Sequence, residues 1–165
     1  MPLRIATWNV NSVRQRLDHL ARFAEAWQPD VICLQEIKVA SEDFPLERIQ
    51  GFGYPHSVVH GQKGYNGVAI LSRRRLTQPR RESWCDRDDC RHASAVVGGV
   101  ELHNFYVPAG GDVPDPEQND KFAHKLQFLS EMAAWARQEK LAERKAVIVG
   151  DLNVAPLEND VWNHK

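Results

Sequence analysis

The chain has 165 residues, 42% of them hydrophobic and 26% charged, with a net charge of −1. That is enough apolar material for one folded domain and too much for a disordered one, while the near-neutral balance excludes a uniformly basic nucleic-acid binder, so that any DNA contact must come from a local patch. No apolar run approaches the roughly 18 residues of a membrane span, and MPLRIATWNVNS lacks the cationic-then-apolar order of a secretory signal, so a cytoplasmic location is expected.

In chain order, residues 3–8 (LRIATW) read as a short strand. Asn11 and Ser12 then offer helix caps, with Gln15 completing a capping box after Ser12. Val13, Leu17, Leu20, Ala24 and Trp27 recur at helical spacing and predict one apolar face, ended by Pro29. Residues 31–35 (VICLQ) are continuously apolar, as in a strand covered on both faces. A helical turn near 45–50 leads to the loop GFGYP, and GQKGYNG precedes a strand at 68–72.

Arg73, Arg74, Arg75, Arg80 and Arg81 follow, readable either as a solvated loop around Pro79 or as phosphate contacts. Strands at 94–97 and 100–107 flank Gly98-Gly99, a hairpin signal. After the turn-rich VPAGGDVPDPEQ, a helix from Glu117 presents Phe122, Leu126, Leu129, Ala133 and Ala136 on one face, and AVIV at 146–149 is the last strand. Alternation of strands and helices predicts an α/β or α+β domain with a mixed sheet. Three cysteines do not make a disulfide framework. Cys33 reads as a core residue, and Cys85-x4-Cys90-x-His92 is a faint zinc pattern without a fourth ligand, in an interval that also reads as an acidic surface loop.

Polar groups end several of these strands: Asn9 after RIATW, Glu36 after VICLQ, Tyr106 in LHNFYV, and Asp151 with Asn153 after AVIVG. Ligands gather outside the carboxyl ends of parallel strands. Oxygen donors there suit magnesium. Glu36 is the metal-ligand choice, with Asn9 beside it. Asp151 could align or deprotonate a water, Asn153 could fix that geometry, and Tyr106 could donate to a phosphate oxygen. Each residue singly also reads as a turn former, a cap or a strand aromatic. His19, His103 and His124 are assigned no catalytic role.

Five blocks carry a resemblance: ATWNVNSVRQRL, DVICLQEIKV, HGQKGYNGVAILSR, NFYVPAGG and VIVGDLNVAP, spread over residues 6–156. They resemble the exonuclease III family of apurinic/apyrimidinic (AP) endonucleases, within the DNase-I-like endonuclease/exonuclease/phosphatase group. The resemblance implies a sandwich of two mixed sheets with helices outside, and Mg²⁺, with Mn²⁺ as an alternative. It implies DNA-repair activity on double-stranded DNA at abasic sites or 3′ ends. Carried over by position, Glu36 and Asn9 belong to the metal site, while Tyr106, Asp151 and Asn153 are catalytic. Lys63, Tyr65 and Asn66 approach the DNA backbone.

Family members run to roughly 250 residues, so residues 1–165 are expected to form a single domain truncated at its C-terminus. The first sheet and its helices should be present and part of the second half missing. His164 stands too close to Asp151 to replace the family's closing histidine. Three expectations follow: weak or absent activity for this chain alone, an uncovered inner face on the first sheet, and self-association through that face. The alternatives are a DNA-binding module without turnover and a phosphatase of the same group.

Overall fold

The computed structural model describes residues 2–160; His164 lies outside them. The described residues form two four-stranded mixed sheets packed face to face. The first contains β1 (Ile5–Asn9), β2 (Val31–Gln35), β3 (His56–Gln62) and β4 (Tyr65–Ser72) in the order β1-β2-β4-β3. The second contains β5 (Leu76–Arg80), β6 (His92–Val97), β7 (Val100–Tyr106) and β8 (Ala146–Asp151) in sequence order. Among the described residues, β1–β2 and β7–β8 pair in parallel and the other pairs are antiparallel. The α-helices among the described residues are α1 (Val13–Trp27), α2 (Leu46–Gly51) and α3 (Asp120–Gln138). No helix among the described residues is long and apolar enough to cross a membrane.

The inner face of the first sheet is covered, which corrects the expectation of an open face available for self-association. Val31, Cys33, Val58, Val68 and Ile70 pack against Ala93, Ala95, Val97 and Leu102 of the second sheet. Residues 94–97 and 100–107 were legible as strands but not as part of a separate sheet, because strand patterning does not reveal which layer a strand joins. A buried polar strut crosses this interface. Gln35 Nε2 donates to Thr7 Oγ1 (3.0 Å) and Asn104 Oδ1 (2.7 Å), and Asn104 Nδ2 donates to the carbonyls of Leu34 and Ala69. The strut fixes how β7 sits over β2.

Helix α1 covers the outer face of the first sheet through Val13, Leu20 and Ala24, and turns off at Gln28 in the left-handed region before Pro29. The capping box does not form. Ser12 has φ 87°, its backbone N–H donates to the Glu36 carbonyl at 2.8 Å, and its side chain caps nothing. A capping side chain needs an extended backbone, which that cross-link forbids.

Two strands escaped the sequence pattern. β3 is polar at both ends, and β5 contains Pro79, which an edge strand tolerates. Helix α3 buries a different face from the one predicted. His124 and Phe128 are buried, Met132 and Trp135 pack beside Trp84 and Phe105, and Leu126 is 43% exposed. The aromatic cluster around Trp84 sets that orientation, with ring centroids 5.3–5.6 Å from Phe105, Phe128 and Trp135.

Two of the five arginines in the run have structural partners, while Arg75, Arg80 and Arg81 are exposed. Arg74 pairs with Asp30 at 2.8 Å and Arg73 lies over the Tyr54 ring, both at the amino end of β2. Cys85 packs in the aromatic cluster and His92 is engaged by His103, so the Cys85–Cys90–His92 pattern does not converge on one ion.

Beneath α3, His92 Nε2 meets His103 Nδ1 at 3.1 Å, and His103 Nε2 reaches Glu101 at 3.1 Å. Burial, then the neighbouring His103 and His60, push His92 from 6.5 down to about 3. A histidine that stays neutral when folded but protonates when unfolded makes the unfolded chain bind more protons between those values. Stability therefore falls as pH drops below 6.5. Between pH 6.5 and 5, before most carboxylates titrate, urea titrations should show a loss approaching about 1.4 kcal/mol per pH unit from this residue. His92→Phe should flatten that slope; an unchanged slope would refute the assignment.

Candidate functional site

The two parallel strand pairs bring four carboxyl ends to one rim. Asn9 ends β1, Glu36 follows β2, Tyr106 ends β7 and Asp151 ends β8. Asn9 Nδ2 donates to both Glu36 Oε1 and Asp151 Oδ2, each at 2.8 Å. Tyr106 donates its hydroxyl to the same Glu36 oxygen at 2.9 Å. Residues 142 positions apart are thus joined through one amide. The two acidic groups share a cluster rather than facing opposite sides.

The local backbone is held in unusual conformations. Asn11, Ser12, Glu36, Lys38, Asn66 and Asn153 all have positive φ without being glycine, each costing about 1–3 kcal/mol unless the surroundings hold it. Cross-links hold several of them: Val13 N–H to Ile37 O, Lys38 N–H to Asn66 O and Gly64 N–H to Lys38 O. These bonds tie the β2 end to the β3–β4 hairpin and aim Glu36 at the rim.

The second Glu36 oxygen faces Lys38 Nζ at 2.9 Å. Burial raises the Glu36 pKa, but hydrogen bonds from Asn9, Lys38 and Tyr106 and the Lys38 charge together hold it below its ordinary value. Tyr106 is pushed up to about 12 by burial and then by the adjacent Glu36 carboxylate, so it stays a neutral donor.

Asn153 donates its amide to Val107 O at 2.8 Å and its backbone N–H to Asp151 Oδ1 at 3.1 Å. Its amide is thereby spent on the β7 end, and it positions Asp151.

A hollow of about 270 Å³ carries Glu36, Lys38, Gly64, Tyr65, Asn66 and Tyr106. It adjoins a cleft of about 500 Å³ that shares Tyr65, Asn66 and Tyr106 and adds Arg87, Arg91, Lys121 and His124. Tyr65 is 70% exposed at the mouth, beside the exposed Lys63 in the hairpin turn. Asn66 is buried, donating to Asp89 O and accepting from Arg91 Nη2, so it shapes the wall.

Sequence reasoning passed over Lys38, Arg91 and His124. Lys38 was findable, standing two residues after Glu36. Arg91 lies 4.8 Å over the Tyr106 ring and pairs with Asp89, which nothing local in DCRH signals. His124 is buried on α3 and lines the cleft with an unpartnered Nε2, visible only once the helix face is known. The positive groups gather here although the whole chain is slightly acidic. Among the described residues, these groups suit a cation held by carboxylates beside a phosphate held by arginine, lysine and tyrosine.

Comparisons with known proteins agree on one group. Residues 6–165 match the Endonuclease/Exonuclease/phosphatase family. The chain is 33% identical to exodeoxyribonuclease III of Haemophilus influenzae, over 96% of this chain and 60% of that protein. An AP endonuclease structure from Archaeoglobus fulgidus superposes with a TM-score of 0.88 at 35% identity, covering 98% of this chain and 62% of the other. The 3′ phosphatase NExo from Neisseria, bound to product DNA hairpin, gives a TM-score of 0.87 at 32% identity, covering 98% and 62%. The chain spans about 60% of the length of these relatives.

Proposed function

Because the chain belongs to the Endonuclease/Exonuclease/phosphatase family, we propose that it carries the Glu36–Asp151 centre of a DNA-repair nuclease of the exodeoxyribonuclease III and AP endonuclease type. Such a nuclease hydrolyses phosphodiester bonds with a divalent metal and serves base excision repair. The observation that carries this reading is the Asn9 amide bonded to both carboxylates, with Tyr106 on the same Glu36 oxygen. The names of the relatives support DNA as the partner, with abasic sites and 3′ ends as the lesions. A cytoplasmic location accords with that substrate.

The donor set fits a hard cation. Glu36 presents an oxygen toward the partly exposed Lys38, whose flexible stem can yield the place. Glu36 would hold Mg²⁺, or Mn²⁺ in its stead, with Asn9 setting the carboxylate's orientation. Bound there, the metal would offset charge on a phosphate oxygen.

The remaining work falls to side chains. Asp151, its carboxylate held by Asn9 and the Asn153 backbone, receives or orients the proton of the attacking water. Tyr106, neutral and stacked under Arg91, turns its hydroxyl to a phosphate oxygen. Lys63 and Tyr65 meet the DNA backbone at the mouth, and Asn66 holds the Asp89–Arg91 wall.

The 165-residue chain assayed alone is expected to cleave an abasic duplex, under excess protein and Mg²⁺, at least about 10²-fold slower than a full-length relative. This follows from the share of the relatives it covers. A rate equal to the relative's would refute that. The site reading is tested separately by Mn²⁺ titration followed by electron paramagnetic resonance. Binding that survives unchanged in both Glu36→Gln and Asp151→Asn would remove the rim as the metal centre.

A further inference from the structure

We propose that His60, Asp88 and Cys90 form a second cation site, for a divalent ion of the zinc class, that clips the edge of the first sheet to the loop entering the second. His60 lies on the edge strand β3, and Asp88 and Cys90 lie in the loop between β5 and β6. One donor atom from each lies within 4.8 Å of the other two. The spacing between ligands around tetrahedral zinc is roughly 3.3–3.8 Å, given bonds of about 2.0–2.3 Å. The Asp88 side chain is 84% exposed and accepts one long bond from Ser83 Oγ at 3.3 Å, so a small rotation closes the difference.

Imidazole, thiolate and carboxylate are the donors zinc prefers, and the mixture is soft enough to discriminate against magnesium. Of the Cys85-x4-Cys90-x-His92 pattern, Cys90 alone belongs to this cluster among the described residues.

The outer support of a metal-binding histidine is in place. His60 Nδ1 lies 2.8 Å from the His92 carbonyl, which can only accept, so Nδ1 carries the proton. The lone pair is thereby left on Nε2, the atom that faces Asp88 at 3.7 Å. Ligating histidines characteristically donate their other N–H to a carbonyl or carboxylate, which fixes tautomer and ring angle. Cys90 is buried with its Sγ within 4.8 Å of the other two donor atoms, and it would reach the ion as thiolate with its proton released to solvent. Three protein groups leave the fourth position to water.

The site would act on the cleft without belonging to it. Asp89, between the two loop ligands, accepts Asn66 at its carbonyl and pairs with Arg91, which lies over Tyr106. An ion joining residues 88 and 90 to β3 would therefore fix the wall that carries Arg91.

The test is a Co²⁺ titration of the 165-residue chain in excess Mg²⁺, which occupies all-oxygen sites. It is followed by visible absorption and the thiolate-to-cobalt charge-transfer band, then by displacement with Zn²⁺. One equivalent should bind with a thiolate band. The band should vanish in Cys90→Ser and persist in Cys85→Ser and Glu36→Gln. Asp88→Asn should weaken binding by at least about 10–100-fold, the loss typical of even an outer partner. Absence of the band in the unmodified chain, its survival in Cys90→Ser, or its loss in Cys85→Ser would overturn the proposal. Should the buried Cys90 variant fail to fold, the exposed Asp88 variant decides: unchanged affinity there overturns it.

Discussion

Glu36→Gln is expected to slow metal-dependent cleavage by on the order of 10²–10³ while leaving the fold intact, with cleavage of an abasic duplex under single turnover as the measurement. The substitution keeps shape and replaces one carboxylate oxygen by an amide. The remaining amide oxygen can still accept from Asn9 and Tyr106, which meet the same atom of Glu36. The new NH₂ group then faces Lys38 Nζ, where the native oxygen sits at 2.9 Å. Two donors in opposition cannot hold a cation between them, so Mn²⁺ affinity should fall together with rate. Far-ultraviolet circular dichroism should be unchanged, and the urea midpoint should shift only modestly, since the lost pair with Lys38 is partly exposed. A variant that cleaves as fast as the parent would show that this carboxylate is not where the metal sits.

Gly150→Ala is expected to be the most damaging single methyl in the chain. Gly150 has φ +142°, and a Cβ built there would lie 1.9 Å from the Phe105 carbonyl oxygen. Phe105 is its strand partner in β7, fully buried among Trp84, His92 and Phe128, so it cannot retreat. Backbone strain contributes about 1–3 kcal/mol and overpacking about 1–3 kcal/mol or more, against a total stability of roughly 5–15 kcal/mol. The cheapest relief is to open the β7–β8 pairing, which pulls Asp151 away from Asn9. Urea denaturation should report the loss, and Mn²⁺ binding should weaken in parallel in whatever fraction remains folded. A variant of parental stability would mean the strand pair tolerates a spacing the geometry forbids.

Both outcomes depend on features differently visible in the chain. The five motif blocks located Asn9, Glu36, Tyr106, Asp151 and Asn153 because each stands at the end of an apolar strand, where local pattern and chemistry coincide. Helix α1 and strand β2 were legible for the same reason: their apolar spacing is strong and their ends are marked. The Ser12 cap, the α3 face and strands β3 and β5 were misread where a local preference was overruled. A long-range backbone bond to Glu36 claims Ser12, and the aromatic cluster turns Leu126 outward. Arg91 and His60 carry no local signal, since what they do depends on groups from other strands.

Sequence alone therefore determined the kinds of donor available, their places at strand ends, and the family whose spacing they share, because motif identity and strand alternation are properties of neighbouring residues. Tertiary structure decided which of those donors meet. It laid one sheet over the other, brought Asn9 between Glu36 and Asp151, and set His60 beside Cys90. The reason is physical: contacts between distant segments are selected by burial and close packing across layers, and that choice is written in no single stretch of chain.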